Sequence, residues 1–498
     1  MEEHQEPVES SSSEPVVITQ ENQINEVKKQ GPNKIVIGAL LVVLIAAGSA
    51  MFMYIHKKKP VTVSNVTPVI TYYYNDGKTV MWQDKDPAKS LAISQAPVAP
   101  HFLNAVYLEL EQKYGGGFYK QGAWDVVTTL DKNLQTSAEK YVLAQEPSLL
   151  KHTANAAGFV GEDVVTGKIV SLVGNLPSQL TQPHDYANYM IEPGSSIKPF
   201  VYATLFDQTT NYGAGSNIED TQGPLEGYPC TVSTPLSASN CLYNYDRQYY
   251  GNLPIRYSLA YSRNIPAVKA ASIVGIKKIA ETVKKLGATK GYNCYPGGVQ
   301  ASKPIDCFSA AAIGDGAYIN FSEEVNAYAS LSRNGVYIPS VMTDKVSLNG
   351  KVKSEWSAPK GEQVIKADAA YIVSDILSDP NAGFLSKGFK PSFMSGNFKT
   401  SIMTGVTNDL NTFSSFAYTT QYVAGFWFGK PGNAGYTYEA DTIPVISGWL
   451  SDAEAGKTAV ERVMPAGLQT LPAQVADPSA PGILPRPTTD IYPSYYKP

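Results

Sequence analysis

Glu192-Pro-Gly-Ser-Ser-Ile-Lys-Pro-Phe200 sets Ser195 three residues before Lys198, with a Pro-Gly pair ahead of the serine and Pro199 behind the lysine. Pro and Gly break whatever precedes them, and proline is tolerated in a helix only in its first turn, so the stretch predicts a helix opening near Ser195. Residues three apart on a helix share a face, so the hydroxyl and the amine can meet: a nucleophile with its own base and no histidine. The S-x-x-K spacing alone is weak, since average Ser and Lys usage gives about two chance matches in a chain of this length. A serine here would otherwise only cap the helix it opens, and Lys198 would be a structural lysine.

Two further segments at suitable distances strengthen the reading: Ser262-Arg-Asn264 and Thr404-Gly-Val-Thr-Asn-Asp409. With Ser195-Ser-Ile-Lys198 they resemble the three active-site motifs of penicillin-binding proteins, most closely the transpeptidase half of the class A type. The likeness runs from about Pro100 to Ala466 and includes Pro100-His-Phe-Leu, Val127-Thr-Thr-Leu-Asp131, Phe159 to Gly174, Ala260 to Val268 and Tyr418 to Gly425. It implies an α/β serine-acyltransferase fold (penicillin-binding protein/β-lactamase-like), with a five-stranded antiparallel sheet flanked by helices and one N-terminal membrane helix. It also implies roles: Ser195 as nucleophile, Lys198 as general base, Ser262 as proton relay and Asn264 as a substrate-amide contact. Thr404 would bind the substrate carboxylate, Gly405 would admit substrate as an added strand, and the Val406 amide would join that of Ser195 in an oxyanion hole, with Thr407 beside them. A lysine can act as base only if desolvation or a neighbouring cation lowers its pKa.

The chain departs from the family at one telling position. The family's third motif reads Lys-Thr-Gly, and here it reads Met403-Thr404-Gly405. Met403 removes a cation that helps hold the carboxylate and depress the base; as plain structure, a methionine there is a buried strand residue. A rival register, Lys399-Thr400-Ser401, keeps the lysine but loses the glycine and the match that follows. Lys399 and Met403 would share a strand face roughly 13 Å apart, too far for one to replace the other without a bulge.

The 498 residues are 43% hydrophobic with a formal charge of −4, and carry no basic stripe, phosphate loop or zinc spacing. Nucleic-acid partners are not expected, nor any metal or cofactor. The five histidines, His4, His56, His101, His152 and His184, are scattered. Ile35 to Ile55 carries no charge and at helical rise spans roughly 31 Å, enough to cross a bilayer. Lysines flank it on both sides, so an inside N-terminus is an expectation from the resemblance and the cysteines rather than from charge. All four cysteines lie C-terminal to it. Pairing of Cys230 with Cys241 and of Cys294 with Cys307 would close two short loops in an oxidising compartment, each contributing about 3 kcal/mol in the chain-entropy model; four free thiols are the other reading.

The expected organisation is a disordered cytoplasmic tail at 1–34, a membrane helix at 35–55, a juxtamembrane linker at 56–125, a transpeptidase domain at 126–465 and a Pro-rich, extended and mobile tail at 466–498. Within it, a turn is expected near Tyr72 to Gly77, a helix over Phe102 to Lys113, two strands within Gly158 to Asn175, a disulfide-pinned insertion at 207–256 and a helical stretch over Tyr257 to Leu286. Phe398 to Thr407 and Tyr422 to Phe428 read as adjacent antiparallel strands. Only about 45 residues separate the expected membrane helix from Pro100, too few for a further domain of ordinary size, so glycan polymerisation is not expected on this chain.

The resemblance thus implies a membrane-anchored, extracytoplasmic D,D-transpeptidase or carboxypeptidase acting on peptidoglycan stem peptides ending in D-Ala-D-Ala. Its partners would include β-lactams as covalent inhibitors and a separate glycan polymerase. The alternatives are a weakened penicillin-binding fold that scaffolds or regulates cell-wall assembly, and a serine β-lactamase or β-lactam sensor, for which no deacylation base is evident.

Overall fold

The computed structural model describes residues 67–88, 96–180, 184–231, 233–234, 241–296, 303–382, 398–430, 441–474 and 488–498. The expected membrane helix at 35–55 lies outside them; among the described residues no helix is long and apolar enough to cross a membrane.

A five-stranded sheet, antiparallel throughout, runs in the order Ser401–Val406, Thr412–Tyr418, Tyr422–Gly429, Ala156–Asp163, Ile169–Val173. Its central strands are buried on both faces, and Tyr422–Gly429 is buried at every position. One face packs helices Lys198–Gln208, Asn264–Val274, Phe321–Ser332 and Ala367–Leu377 into a large core that includes Phe200, Val268, Tyr328, Ile372 and Phe416. The other face packs helices Lys132–Lys151 and Ile443–Glu454 around Phe159, Phe426, Val142 and Trp449. Burial of one such apolar side chain contributes roughly 1.5–3 kcal/mol, so this three-layer arrangement is the main source of stability. Asp131 caps the Lys132–Lys151 helix through the amides of Asn133 and Leu134. Trp449 lies against Gly161, where a Cβ would stand 2.4 Å from its ring.

The segment expected to be a linker at 56–125 is structured in its described part. Val69–Tyr73 and Val80–Asp84 form a hairpin, and with Ala123–Thr128, Thr343–Leu348 and Lys351–Glu355 they build a second five-stranded sheet. Val69–Tyr73 pairs in parallel with Ala123–Thr128, and the helix between them, Pro100–Tyr114, buries Phe102, Leu103, Val106 and Leu110. The partner strands come from more than 200 residues downstream, which a local reading cannot see.

Three other expectations change. Thr412–Tyr418 lies between the two strands read as adjacent. The stretch Tyr257 to Leu286 is three helices, Ile255–Ala260, Asn264–Val274 and Ile276–Leu286, the first break falling at Ser262 and the second at Gly275. The C-terminal tail is tied down where it is described: Leu468–Pro472 pairs with Thr489–Pro493, Tyr492 is buried, and Asp490 bonds Arg256 at 2.6 Å. Proline content suggested mobility, but Asp490 and Tyr492 have buried partners.

Both expected cystines form, Cys230–Cys241 and Cys294–Cys307, each with Cα atoms 5.2 Å apart.

Candidate active site

The Ser195 turn begins where the sequence places it. Gly194–Ile197 is a 3-10 turn that runs directly into the α-helix Lys198–Gln208, with Pro199 in its first turn. Gly194 adopts φ 57°, and a side chain there would collide with the Val406 carbonyl at 2.3 Å. The turn therefore lies tightly against the edge strand Ser401–Val406, and only glycine permits that approach.

Lys198 is fully buried while Ser195 remains half-exposed. Lys198 Nζ lies 2.9 Å from Ser195 Oγ, 2.6 Å from the Ser262 carbonyl, 3.1 Å from Ser262 Oγ and 2.6 Å from Asn264 Oδ1. The two shortest partners, a carbonyl and an amide oxygen, can only accept. A neutral amine has two N–H groups and one lone pair. The Ser262 carbonyl and Asn264 Oδ1 use both N–H groups, which directs the lone pair at the Ser195 hydroxyl. The orientation of the Asn264 amide follows from its other end, because Nδ2 donates to the Tyr243 carbonyl at 2.7 Å and so turns Oδ1 towards the lysine. Burial pushes the Lys198 pKa well below that of an ordinary lysine; Arg263 pushes it further down and Asp220 partly opposes.

The second motif owes its position to the insertion. Ser262 sits at φ 52°, a left-handed conformation unusual for a side-chain-bearing residue. It is held by bonds from the Ser262 amide to the Leu259 carbonyl and from the Arg263 amide to the Ser258 carbonyl, both 2.9 Å. Asn244 then caps the Asn264–Val274 helix from outside, its Oδ1 accepting from the amides of Asn264 and Ile265. Asn244 Nδ2 is anchored on Asp220 at 2.7 Å. Tyr243, Asn244, Asp220 and Arg263 were not among the sequence candidates. Arg263 was visible as the middle residue of its motif; the other three lie in a segment with no periodic signal.

The third motif forms the free edge of the central sheet. The Thr407 amide donates to the Thr412 carbonyl, so alternation in this antiparallel pair turns the amides of Gly405 and Met403 inwards and those of Val406 and Thr404 outwards. The outward Val406 amide lies beside Gly194, one residue before Ser195. A Cβ on Gly405 would meet the Pro193 carbonyl at 2.3 Å, so Gly405 faces the Ser195 turn. By the same alternation Met403 shares that face; it is 1% exposed and packs in the core with Tyr328 and Phe416. Thr404 lies on the opposite face with Ile402 and Val406. The Thr407 hydroxyl is engaged locally, 2.6 Å from Asp409 Oδ1.

Lys399 does not approach this cluster. It pairs with Asp375 at 2.9 Å, beside a cavity of about 340 Å³ lined by Arg256, Asp379 and Asp490 at the opposite end of the strand from Val406. The sequence candidates Ser195, Lys198, Ser262 and Asn264 thus converge on one nitrogen, and Gly405 and Val406 lie against the same turn. Thr404 and Thr407 flank it, and Met403 lies beneath the strand.

Comparison with known proteins agrees. Residues 157–383 match the model of the penicillin-binding protein transpeptidase domain. Penicillin-binding protein 1B of Vibrio cholerae is 26% identical over 341 residues, 67% of this chain and 40% of that protein. Penicillin-binding protein 1A of Clostridium perfringens is 26% identical over 324 residues, 62% of this chain and 45% of that one. The chain therefore spans less than half the length of these relatives. Among solved structures, penicillin-binding protein 1A of Haemophilus influenzae superposes with TM-score 0.62 at 15% identity, covering 80% of this chain and 76% of that one. A Mycobacterium tuberculosis penicillin-binding protein solved with penicillin V superposes with TM-score 0.59 at 19% identity, covering 78% and 99%. On this sequence match and these relatives, residues 157–383 carry a transpeptidase domain of the penicillin-binding protein type.

Proposed function

We propose that the protein is a membrane-anchored, extracytoplasmic D,D-transpeptidase that acts through an acyl-serine on peptidoglycan stem peptides. The observation that carries this reading is the 2.9 Å approach of Lys198 Nζ to Ser195 Oγ in a buried pocket whose other acceptors occupy both amine protons. Neutral Lys198 takes the Ser195 proton as Oγ attacks the penultimate D-Ala carbonyl. The oxyanion is held by the backbone N–H groups of Ser195 and Val406. When the C–N bond breaks, the proton returns from Lys198 through the Ser262 hydroxyl to the leaving D-Ala nitrogen. An acceptor amine then attacks the acyl-serine and releases the crosslinked product; attack by water would give the carboxypeptidase outcome. Substrate lies along the open edge of Ser401–Val406 as an added strand. Penicillin would acylate the same serine, as the family name and the penicillin V complex of the M. tuberculosis relative suggest. A separate glycan polymerase in the same membrane is the natural partner for such a chain.

Met403 favours a second reading, a slow or silent member that scaffolds cell-wall assembly, because no lysine stands in the third motif. The two readings separate in one experiment. The full chain in detergent is exposed to a fluorescent penicillin for minutes to hours, and its intact mass is measured beside that of Ser195→Ala. A slow covalent adduct that is lost in the variant supports the enzyme. No adduct on the folded wild-type chain at any concentration assigns the scaffold role.

A further inference from the structure

We propose that Arg263, between Ser262 and Asn264, is a positioning residue whose buried guanidinium, clamped by Asp220, supplies the cation that Met403 withholds and so keeps Lys198 in the neutral form. The inference rests on the reading of Ser195 as nucleophile and Lys198 as base.

Arg263 and Asp220 are both fully buried, and Arg263 Nε lies 2.9 Å from Asp220 Oδ2. Nη1 lies 2.8 Å from Asp246, Nη2 donates to the Gln248 carbonyl, and the guanidinium stacks 4.5 Å from the Tyr250 ring centroid. All three nitrogens are thus engaged inside the fold. Arg263 cannot reach substrate, and any effect on chemistry passes through Lys198. A guanidinium keeps its charge even when buried. Its two sequence neighbours are the residues that contact Lys198 Nζ from the second motif, and its guanidinium is held in place by Asp220, Asp246 and the Gln248 carbonyl. A fully buried cation is costly unless the fold holds it deliberately, and four groups from the insertion do so here.

The charges around Lys198 have definite signs. Burial and Arg263 favour the neutral amine, and Asp220 favours the ammonium; the Arg263 influence is the larger of the two. The Tyr202 hydroxyl, one turn along the same helix, is buried and neutral. Glu324, beneath Ser196 on the neighbouring helix, has a carboxyl raised to about 8 by burial and carries little charge at neutral pH. Asp246 is partly exposed and screened by water. In the family the third-motif lysine places a cation beside the base; here the second motif carries one between the two residues that bond it.

The arrangement makes opposite predictions for the two partners of one ion pair. Arg263→Gln removes the cation, so the Lys198 titration and the acylation pH profile move to higher pH by about one unit. Below the wild-type midpoint, acylation by penicillin is then roughly tenfold slower, and it recovers in alkali. Arg263→Lys retains the charge and keeps the wild-type midpoint. Asp220→Asn removes the opposing anion, so the midpoint moves to lower pH. A purely structural role would instead lower the rate by one factor at every pH and shift no midpoint.

The experiment measures acylation by penicillin from pH 5 to 10 on the full chain. In parallel it follows Lys198 by the ¹³Cε resonance of labelled lysine, assigned by its loss in Lys198→Arg. Arg263→Gln that folds yet leaves the Lys198 midpoint unmoved overturns the proposal. If Arg263→Gln does not fold, Asp220→Asn decides, and an unmoved or raised midpoint overturns it. A wild-type chain that never acylates, while Lys198 still titrates as described in the variants, refutes the enzymatic reading and leaves the assignment of Arg263 standing.

Discussion

The Ser196 hydroxyl, next to Ser195, donates to Glu324 Oε1 at 2.6 Å, with both side chains fully buried. The second oxygen, Oε2, has no protein partner among the described residues. Ser196 Oγ also lies 2.8 Å from the Pro193 carbonyl, and Tyr328 bonds the Ser196 carbonyl at 2.6 Å. The Ser195 turn is therefore fixed from below by a carboxyl whose pKa burial raises to about 8.

This carboxyl binds a proton in the folded state at pH values where the unfolded chain has lost it. Its contribution to stability is therefore largest below about 4.5, declines as pH rises, and levels off above about 8. Glu324→Gln is neutral throughout and keeps an acceptor for Ser196. Thermal melts of the variant should show a shallower loss of stability between pH 5 and 8, and above pH 8 should match or exceed the wild type by an amount on the order of a few kcal/mol. Parallel curves for the two proteins would show that Glu324 is charged in the fold.

Met403→Lys should raise the rate of acylation by penicillin by about tenfold, because a cation on the Gly405 face attracts the substrate carboxylate, and it should move the Lys198 midpoint to lower pH. It should also lower Tm by several degrees, since the lysine replaces a methionine in an apolar core. Lys399→Met is the control. Lys399 is bonded to Asp375 at the far end of the strand, so its removal should leave the rate within about twofold. A large loss in Lys399→Met, with no gain in Met403→Lys, would establish the rival register.

The two cystines should differ in effect. Replacing Cys230 and Cys241 by serine frees the segment leading to the Tyr243 carbonyl and Asn244, which hold Asn264. Acylation should fall at least tenfold along with a stability loss of about 3 kcal/mol. The Cys294 and Cys307 pair closes a loop of similar size, with a separation of 13 against 11 residues, and should cost similar stability with a smaller loss of rate. Rates and melts of the two double variants check this; equal rate losses would mean that the Cys230–Cys241 loop has no special hold on the second motif.

Some of this protein was legible in the residues alone. The Ser195 turn follows from Pro193, Gly194 and Pro199, whose backbone restrictions act within a few residues. Local loop closure similarly paired the cysteines, and the unbroken run Tyr422 to Phe428, rich in aromatics, reads as a strand. The S-x-x-K, S-x-N and T-G segments could be matched as patterns because each is short. Sequence also exposed Met403 as a departure, since identity at one position needs no coordinates.

Tertiary structure decided what depends on distance in space. The strand Thr412–Tyr418 intervenes between two that read as neighbours, and Val69–Tyr73 finds its sheet through strands far along the chain. Asp490 and Tyr492 are held by Arg256 and by the core near Gly213, contacts that composition does not encode. Most of all, the role proposed for Lys198 depends on its protonation. That is set by burial, by the direction in which Tyr243 turns the Asn264 amide, and by a cation clamped at Asp220. A sequence pattern places the lysine near its serine, but the electrostatic field at its nitrogen is a sum over groups brought together only by the fold.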